Sequence, residues 1–369
     1  MKKIKVIELI TGLERGGAER VVADIARLLP KDSFEVTVVS LKKEGPLAKE
    51  VREYARVVSL NASTVTMPIA CIRLIRFLLQ EKPDILHTHL FHADIMGRMV
   101  ARLCGVKTVV TTLHNVRYGG WSREVLLRTT SFLISSAVAV SQEVAGTATR
   151  KKIMPARKIQ VIYNGINMER FIRGDIRRAR ESLGLLPEDE VLVNVGRMSE
   201  QKGHRYLLEA FARVYATHPR AKLLLAGDGP LRDSLRSRAK ELGVAHAVVF
   251  LGNRDDIPTI LNAADVFVFS SLWEGFALAL AEAMACGKIV VSTHVAGVPE
   301  IVQDGTSGFL VEAKNSSQLA GAIERALLLP AQERALMEER ASSIVHEKFS
   351  AQNMAREYQQ LYERVTSGS

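Results

Sequence analysis

Two glutamates lie close to one predicted turn in the stretch SSLWEGFALALAEAMACG, residues 270–287. The apolar run ADVFVF before it predicts a buried parallel strand. The Ala- and Leu-rich run after Glu274-Gly275 predicts a helix that stops at Gly287. Glu282 would then lie about two turns, roughly 9 Å, inside this helix. Because the N–H groups at a helix N-terminus favour an anion, we expect Glu274 and Glu282 to flank a phosphate, as an acid and a base or as clamps on hydroxyl groups.

Two other loops that precede predicted helices carry residues suited to phosphate. GRMSEQKG, residues 196–203, contains Arg197 and Lys202, and a planar guanidinium with an ammonium suits a diphosphate. TGLERGGAE, residues 11–19, places Gly16 and Gly17 directly before a helix, where the backbone could approach a phosphate. This second loop lacks the GxGxxG pattern, so an ordinary turn remains an alternative for it.

The histidines raise the question of a metal. His87, His89 and His92 have a metal-like spacing, but we expect the first two at a strand end and the third at a helix start. We see no cysteine or carboxylate set to complete a site, so we predict no metal. No Asp-x-Asp occurs, which argues against a carboxylate-held Mg²⁺ or Mn²⁺. His114 ends the strand-like run TVVTTLH and either caps its loop or faces the ligand.

These loops need a scaffold, and the alternation of strand-like and helix-period stretches along the chain predicts one. It indicates parallel sheets with crossover helices, organised as two doubly wound units. In such sheets ligands bind beyond the carboxyl ends of the strands, where these loops would lie. We place the junction of the units around residues 163–187, where the pattern lapses. The predicted strands are residues 4–10, 35–40, 84–87, 108–112, 138–140, 159–162, 191–195, 222–226, 248–251, 266–269 and 289–292.

Composition limits the class of protein. The 369 residues are 47% hydrophobic, which is typical of a globular chain long enough for two domains. No apolar run reaches the roughly 18–20 residues that a membrane span needs. The three cysteines have no metal or redox spacing, so we expect buried, reduced thiols in a cytosolic protein.

The net charge of +10 is concentrated in the first half of the chain. Lys and Arg outnumber Asp and Glu by 26 to 14 in residues 1–165 and are outnumbered by 26 to 24 in the remainder. No zinc-finger, RRM or basic-zipper pattern supports nucleic acid as the partner. An anionic membrane surface or a phosphorylated substrate fits the charge at least as well. The apolar stretch 68–80, which contains Arg73 and Arg76, either packs on the first sheet or lies against lipid.

Taken in order, the motifs closely resemble those of group 1, family 4 retaining glycosyltransferases of the GT-B type. The resemblance covers nearly the whole chain and implies two Rossmann-like domains that face each other across a cleft. It implies an acceptor-binding domain in residues 1–165, a nucleotide-sugar-binding domain in 166–350, and a C-terminal helix in 351–369 that returns to the first domain. The matching segments are EGFALALAEAMACG, GVPEIV, GFL, GRMSEQKG, LAGDGP, YNGIN, the His87/His89 strand end and the Gly16-Gly17 loop.

The resemblance also implies roles for individual residues. Arg197 and Lys202 would bind the diphosphate of a nucleotide-sugar, Glu274 the hydroxyls of the sugar, and Glu282 the ribose. As catalytic residues it implies His114 at the reacting face together with Arg197, Lys202 and Glu274. The remaining donor contacts, most of them through the backbone, would come from Gly16, Gly17, Asn253, Gly275, Phe276, Ala277 and Leu278. Ala277 stands where many family members carry Pro or Gly.

We therefore predict a retaining glycosyltransferase that needs neither metal nor cofactor. It would move a sugar from a nucleotide-diphosphate donor, a UDP-sugar by preference, to a lipid-linked or saccharide acceptor in polysaccharide or glycolipid assembly. A nucleotide-sugar epimerase of the same architecture and a non-catalytic sugar-nucleotide-binding protein are the alternatives. We expect a cytoplasmic protein, which would be peripheral on the inner face of the cell membrane if its basic first domain contacts anionic lipid.

Overall fold

The chain forms two compact α/β units in the computed structural model, which describes residues 3–63 and 65–367. The first unit extends to Gly165 and resumes at Ala351, and the second comprises Ile166–Ser350. Both units are built around a wholly parallel sheet with helical crossovers, as the alternating sequence pattern predicts. The prediction of two doubly wound units is therefore confirmed.

The first unit contains a seven-stranded sheet in the order β3-β2-β1-β4-β5-β6-β7. The strand β3 was not predicted, because its four residues are only half-buried and form one edge of the sheet. The strands are β1 (Ile4–Ile10), β2 (Phe34–Ser40), β3 (Arg56–Ser59), β4 (Ile85–His89), β5 (Thr108–Leu113), β6 (Ser136–Ala139) and β7 (Ile159–Val161).

Seven helices within the described residues belong to this unit, and the last comes from the C-terminal end of the chain. That helix contributes Tyr358 and Tyr362 to the same hydrophobic core as β1 and β2, so it is an integral part of the first unit. The helices are α1 (Gly17–Leu28), α2 (Ala48–Val51), α3 (Met67–Glu81), α4 (Phe91–Leu103), α5 (Trp121–Thr129), α6 (Gln142–Arg150) and α14 (Ala351–Ser367).

The second unit contains a six-stranded sheet in the order β10-β9-β8-β11-β12-β13. Its strands are β8 (Glu190–Val195), β9 (Ala221–Ala226), β10 (Val248–Gly252), β11 (Val266–Phe269), β12 (Ile289–Thr293) and β13 (Phe309–Val311). Its helices are α7 (Ile176–Ser182), α8 (His204–Thr217), α9 (Arg232–Glu241), α10 (Ile257–Ala263), α11 (Leu278–Ala285), α12 (Ser316–Leu327) and α13 (Ala331–Lys348).

In both sheets the chain reverses its direction of strand addition at one point, between β1 and β4 in the first unit and between β8 and β11 in the second. Crossovers leave to opposite sides at such a switch point, which opens a crevice at the carboxyl ends of the strands. The loops after β1, β4, β8 and β11 are therefore the ones best placed to hold a ligand.

Several local predictions need correction. The helix-period stretch of residues 123–135 predicts one continuous helix, but α5 ends at Thr129 and a single 3-10 turn follows. The helices α6 and α7 were missed, since both are short and polar and depend on N-caps from Ser141 and Asp175. Cys286 is buried as predicted, but Cys71 and Cys104 are only half-buried, and all three cysteines are free. Within the described ranges, no helix combines the length and apolarity needed to cross a membrane.

Candidate donor site and a buried histidine cluster

The loop that follows β8 touches its neighbours through glycines that cannot be replaced without displacing backbone. Gly203 has φ of +62°, and a Cβ there would lie 2.1 Å from the carbonyl oxygen of Ser270. Gly227 has φ of +131°, and its Cβ would lie 2.1 Å from the carbonyl oxygen of Gly196. These contacts hold the loops after β8, β9 and β11 together at the switch point of the second sheet.

Lys202 and Glu274 form the centre of this site. The Lys202 ammonium lies 2.6 Å from Glu274 Oε1, and the Ser271 hydroxyl donates to the same oxygen at 2.7 Å. The two side chains are 20% and 7% exposed, so the ion pair is largely withdrawn from solvent. The Ser270 hydroxyl donates to the Lys202 carbonyl at 2.9 Å, which ties the two loops to each other. Lys202 and Glu274, which come from two separate loops, are therefore in direct contact.

Arg197 lies on the same loop as Lys202, but its side chain has no partner among the described residues. The side chain is exposed, and it makes no hydrogen bond or ion pair with any residue that the structure describes. Asn253, in the loop after β10, is also exposed. A positively charged side chain in such a loop that is not neutralised by the protein is available to an anionic ligand.

The start of α11 differs from the sequence-based expectation. The helix begins at Leu278 rather than directly after Glu274-Gly275, so Glu282 lies one turn inside it and not two. The buried Ala277 occupies the N-cap position, and no described side chain caps it. The N–H of Leu278 already donates to the Phe276 carbonyl at 3.1 Å. The first turn therefore offers fewer open N–H groups than we expected.

Phe276 fixes the entry to this helix. Its ring is 6% exposed and meets Phe349 edge-on at a centroid distance of 5.3 Å. Gly275 is buried beside it, and Glu282 is half-buried. Backbone and side chains of the loop are thus anchored before any ligand binds.

In the first unit, Gly16 is the N-cap of α1 and Gly17 is its first residue. The backbone of Gly16 is extended, with φ of −146°, and its N–H donates to the Glu14 carbonyl at 3.1 Å. A Cβ at Gly16 would meet only the flexible end of the Glu19 side chain. The local backbone therefore does not require a glycine at this position.

The prediction that no carboxylate accompanies the histidines is wrong. Glu8 on β1 lies opposite His87 on the neighbouring β4, and the side chains of Glu8, His87 and His89 are all fully buried. His89 Nε2 is 2.7 Å from Glu8 Oε2, and His87 Nδ1 is 3.0 Å from the same oxygen. Pairing of these strands brings together residues about eighty positions apart, which the sequence pattern alone does not reveal.

These separations are those of hydrogen bonds. Ligands of a tetrahedral zinc ion at 2.0–2.1 Å would stand about 3.3 Å from one another. The remaining atoms of the cluster are also satisfied by protein groups. Tyr362 donates its hydroxyl to Glu8 Oε1 at 2.7 Å, and His87 Nε2 lies 2.7 Å from the Thr112 hydroxyl. We therefore interpret the Glu8/His87/His89 cluster as a hydrogen-bond network.

His114 extends this network toward solvent. It follows β5, is half-buried, and places Nε2 at 3.0 Å from Nδ1 of His89. Burial, together with the charges of His89 and His87, holds the pKa of His114 well below its ordinary value of 6.5. Burial likewise lowers the pKa of His89, to about 4, with the charge of His87 acting in the same direction. Both rings are thus neutral at physiological pH.

The pKa of Glu8 moves the opposite way from what its burial alone would cause. Burial raises the pKa of this carboxyl, but the charge of His87 and the hydrogen bonds from His87 and His89 outweigh that effect and lower the pKa overall. Glu8 is therefore an ionised carboxylate in the core of the first unit. Its presence within the otherwise apolar stretch VIELI was the one sequence signal that could have identified it.

Models of two families match the chain. The model described as glycosyl transferases group 1 matches residues 175–343, and the model of glycosyltransferase family 4 matches residues 15–170. Each match falls largely within one of the two units. The motifs that suggested this family are distributed over the same two regions.

Named relatives and solved structures agree with the family models. The UDP-Gal:alpha-D-GlcNAc-diphosphoundecaprenol alpha-1,3-galactosyltransferase of Escherichia coli is 30% identical over 342 residues, which cover 88% of each chain. The N-acetyl-alpha-D-glucosaminyl L-malate synthase of Bacillus anthracis is 31% identical over 291 residues, which cover 77% of this chain and 75% of that protein. Anabaena Alr3699/HepE in complex with UDP-glucose superposes with a TM-score of 0.87 at 25% identity, over 99% of this chain and all of the other.

Sequence and fold therefore lead to one family, because a relative of this identity covers most of both chains and the two-sheet architecture is that of the neighbouring structures. The chain is a group 1, family 4 glycosyltransferase with the GT-B fold.

Proposed function

We propose that this glycosyltransferase uses a UDP-sugar and transfers the sugar with retention of anomeric configuration and without a metal ion. The observation that carries the proposal is the pairing of Lys202 with Glu274 at the switch point of the second sheet, beside the unpaired Arg197. UDP is favoured because the E. coli relative is named for UDP-Gal and the Anabaena neighbour was solved with UDP-glucose. The second unit would bind the donor and the first unit the acceptor.

The two cations, Lys202 and Arg197, would stabilise the diphosphate as it departs. Breaking the bond between sugar and phosphate places negative charge on the departing diphosphate, and prearranged cations stabilise that charge most in a site withdrawn from water. Lys202 is only 20% exposed and already fixed by Glu274, while Arg197 is free to swing onto the phosphates. This charge stabilisation could replace a metal ion.

The state of Glu274 supports front-face transfer over a double displacement. A carboxylate nucleophile must approach the anomeric carbon, but Glu274 Oε1 is held by Lys202 and by the Ser271 hydroxyl. Such a carboxylate suits the binding of sugar hydroxyls better than covalent attack. Retention would then follow from departure and attack on the same face of the sugar.

The acceptor is proposed to be lipid-linked or a saccharide, with the first unit resting on an anionic membrane surface. One face of α3 exposes Ile69, Ile72 and Leu79, which are 48–51% accessible, together with Arg76. The adjacent α4 exposes Met99 and Leu103, at 54% and 76%. Apolar side chains interleaved with arginine are the pattern of a helix that lies in a membrane interface.

The membrane proposal predicts binding to vesicles that contain phosphatidylglycerol and weak binding to neutral ones. Because each basic residue near such a surface contributes about 1 kcal/mol, Arg76→Glu should weaken binding by at least tenfold. Arg213→Glu, on the exposed side of α8 in the second unit, is the matched control. Equal sedimentation of the protein with neutral and anionic vesicles would contradict the proposal.

The proposed reaction is tested by incubating the protein with UDP-, GDP- and ADP-sugars and an acceptor that carries a sugar on a polyprenyl diphosphate, in the presence of EDTA. We expect nucleotide release with a UDP-sugar, undiminished by the chelator, and an α-linked product from an α-linked donor. Inversion of the anomeric centre, or loss of turnover that Mg²⁺ or Mn²⁺ restores, would refute the corresponding part of the proposal.

A further inference from the structure

The buried hydrogen-bond network of the first unit leads from the core toward solvent, and the proposed reaction gives it no role. It begins at Glu8, passes through His89 and ends at the half-buried His114. We propose that Glu8 and His89 are positioning residues that fix the tautomer of His114, so that His114 offers an unprotonated Nδ1 to a hydroxyl of the sugar substrate. The use of that nitrogen rests on the proposed function.

The first step is the bond between Glu8 and His89. A carboxylate can only accept hydrogen bonds, and the 2.7 Å contact joins Glu8 Oε2 to His89 Nε2. The proton of the neutral imidazole must therefore be on Nε2. The other oxygen, Oε1, accepts from the Tyr362 hydroxyl at 2.7 Å, which keeps the carboxylate from rotating.

The second step is the bond between the two histidines. With Nε2 protonated, His89 Nδ1 is an acceptor, and it lies 3.0 Å from His114 Nε2. Two ring nitrogens at this distance share one proton, which must come from His114 Nε2. The lowered pKa values of both rings are consistent with a single proton on each.

The third step concerns the far side of the His114 ring. A neutral imidazole with its proton on Nε2 has a lone pair on Nδ1, and this nitrogen has no hydrogen-bond partner among the described residues. An acceptor attracts a hydroxyl group and repels a phosphate oxygen. His114 would therefore contact a hydroxyl group of the sugar substrate and not its phosphates.

The test combines histidine side-chain NMR with kinetics on the full-length protein. In ¹⁵N-labelled wild type, His89 and His114 should both carry their proton on Nε2. Glu8→Gln should reverse both tautomers, because the Tyr362 hydroxyl holds the carbonyl of the new carboxamide and turns its NH₂ toward His89. His114 Nδ1 would then carry a proton and could no longer accept from the sugar hydroxyl. We therefore expect kcat to fall about 10- to 100-fold, the size expected for one charge-assisted hydrogen bond.

Two further measurements separate a positioning role from a merely structural one. The affinity of Glu8→Gln for UDP should stay within about twofold of wild type, because UDP lacks the transferred sugar that His114 would contact. Tyr358→Phe is the control, since it removes a buried hydroxyl that contacts Thr112 at 3.1 Å and neither Glu8 nor His89. It should leave the tautomers and kcat unchanged.

A proton on Nδ1 of His114 in the wild type would overturn the inference, as would a reversed tautomer in Glu8→Gln with wild-type kcat. An equal fall of kcat in Tyr358→Phe would also overturn it. If the wild type turns over no nucleotide-sugar, the proposed function fails instead, and the spectra still decide whether Glu8 sets the tautomer.

Discussion

Replacing Lys202 with Ala should separate what this lysine does for folding from what it does for the reaction. The ammonium lies 2.6 Å from a carboxylate that is 7% exposed. Without Lys202, Glu274 Oε1 keeps only the Ser271 hydroxyl. Removing one partner of a buried ion pair costs about 3–5 kcal/mol, because the other charge stays buried without its partner. Since Lys202 is partly exposed, we expect a smaller loss of about 1–3 kcal/mol in the free energy of unfolding.

The effect on turnover should be of similar size but different origin. Loss of one charged donor to a departing oxyanion costs about 10²-fold in kcat or more, which is about 2.7 kcal/mol. The double variant Lys202→Ala/Glu274→Gln distinguishes the two effects. A carboxamide leaves no stranded charge, so Lys202→Ala should cost little stability in the Glu274→Gln background.

Chemical unfolding of the four proteins gives the stability cycle, and UDP release from the donor gives the turnover. Arg213→Ala is the control, because this exposed arginine on α8 has no partner among the described residues. A turnover near wild type in Lys202→Ala would refute the leaving-group role. A stability loss that persists undiminished in the Glu274→Gln background would refute the stranded-charge argument.

Two further predictions concern the second unit. Gly203→Ala should cost more than 2 kcal/mol of unfolding free energy, because its Cβ would meet the Ser270 carbonyl oxygen at 2.1 Å; Gly243→Ala, at φ of +74° in open space, should cost only about 1 kcal/mol. Equal melting temperatures of these two variants would contradict this. Burial, helped by the charge of Lys202, lowers the pKa of His204 to about 4, so the unfolded chain binds a proton more readily than the folded one. Through His204, the free energy of unfolding should therefore decrease by about 3 kcal/mol as the pH falls from 6.5 to 4. Urea unfolding at several pH values should show a smaller decrease in His204→Gln than in the wild type. An equal decrease in both proteins would contradict the assignment.

The candidate donor site illustrates what the sequence can predict. Arg197 and Lys202 stand out because charged residues in a glycine-rich loop directly after an apolar strand have no core to enter. Parallel sheets bring such loops to one edge, so the proximity of Lys202 to Glu274 follows from strand order. The start of α11 was misplaced because the turn at Phe276 and Ala277 is stabilised by distant packing on Phe349 and not by local propensity.

The histidine cluster illustrates what the sequence cannot reveal. Glu8 stands out in the sequence only as a charge within an apolar strand, and the pairing of β1 with β4 is what sets it beside His89. Tyr362 is further away still, 354 residues along the chain from Glu8, and reaches it through the packing of α14. The pairing of His87 and His89 with a carboxylate thus depends on tertiary contacts that leave no periodic signal.

Calorimetric titration with UDP is the most direct test of a donor site built on Arg197 and Lys202. We expect the wild type and Arg213→Ala to bind UDP equally, and Arg197→Ala and Lys202→Ala each to bind it at least tenfold more weakly, since each removes a charged contact to the diphosphate. Equal binding of UDP by all four proteins would contradict the account. Failure of the wild type to bind any of UDP, GDP and ADP would also contradict it.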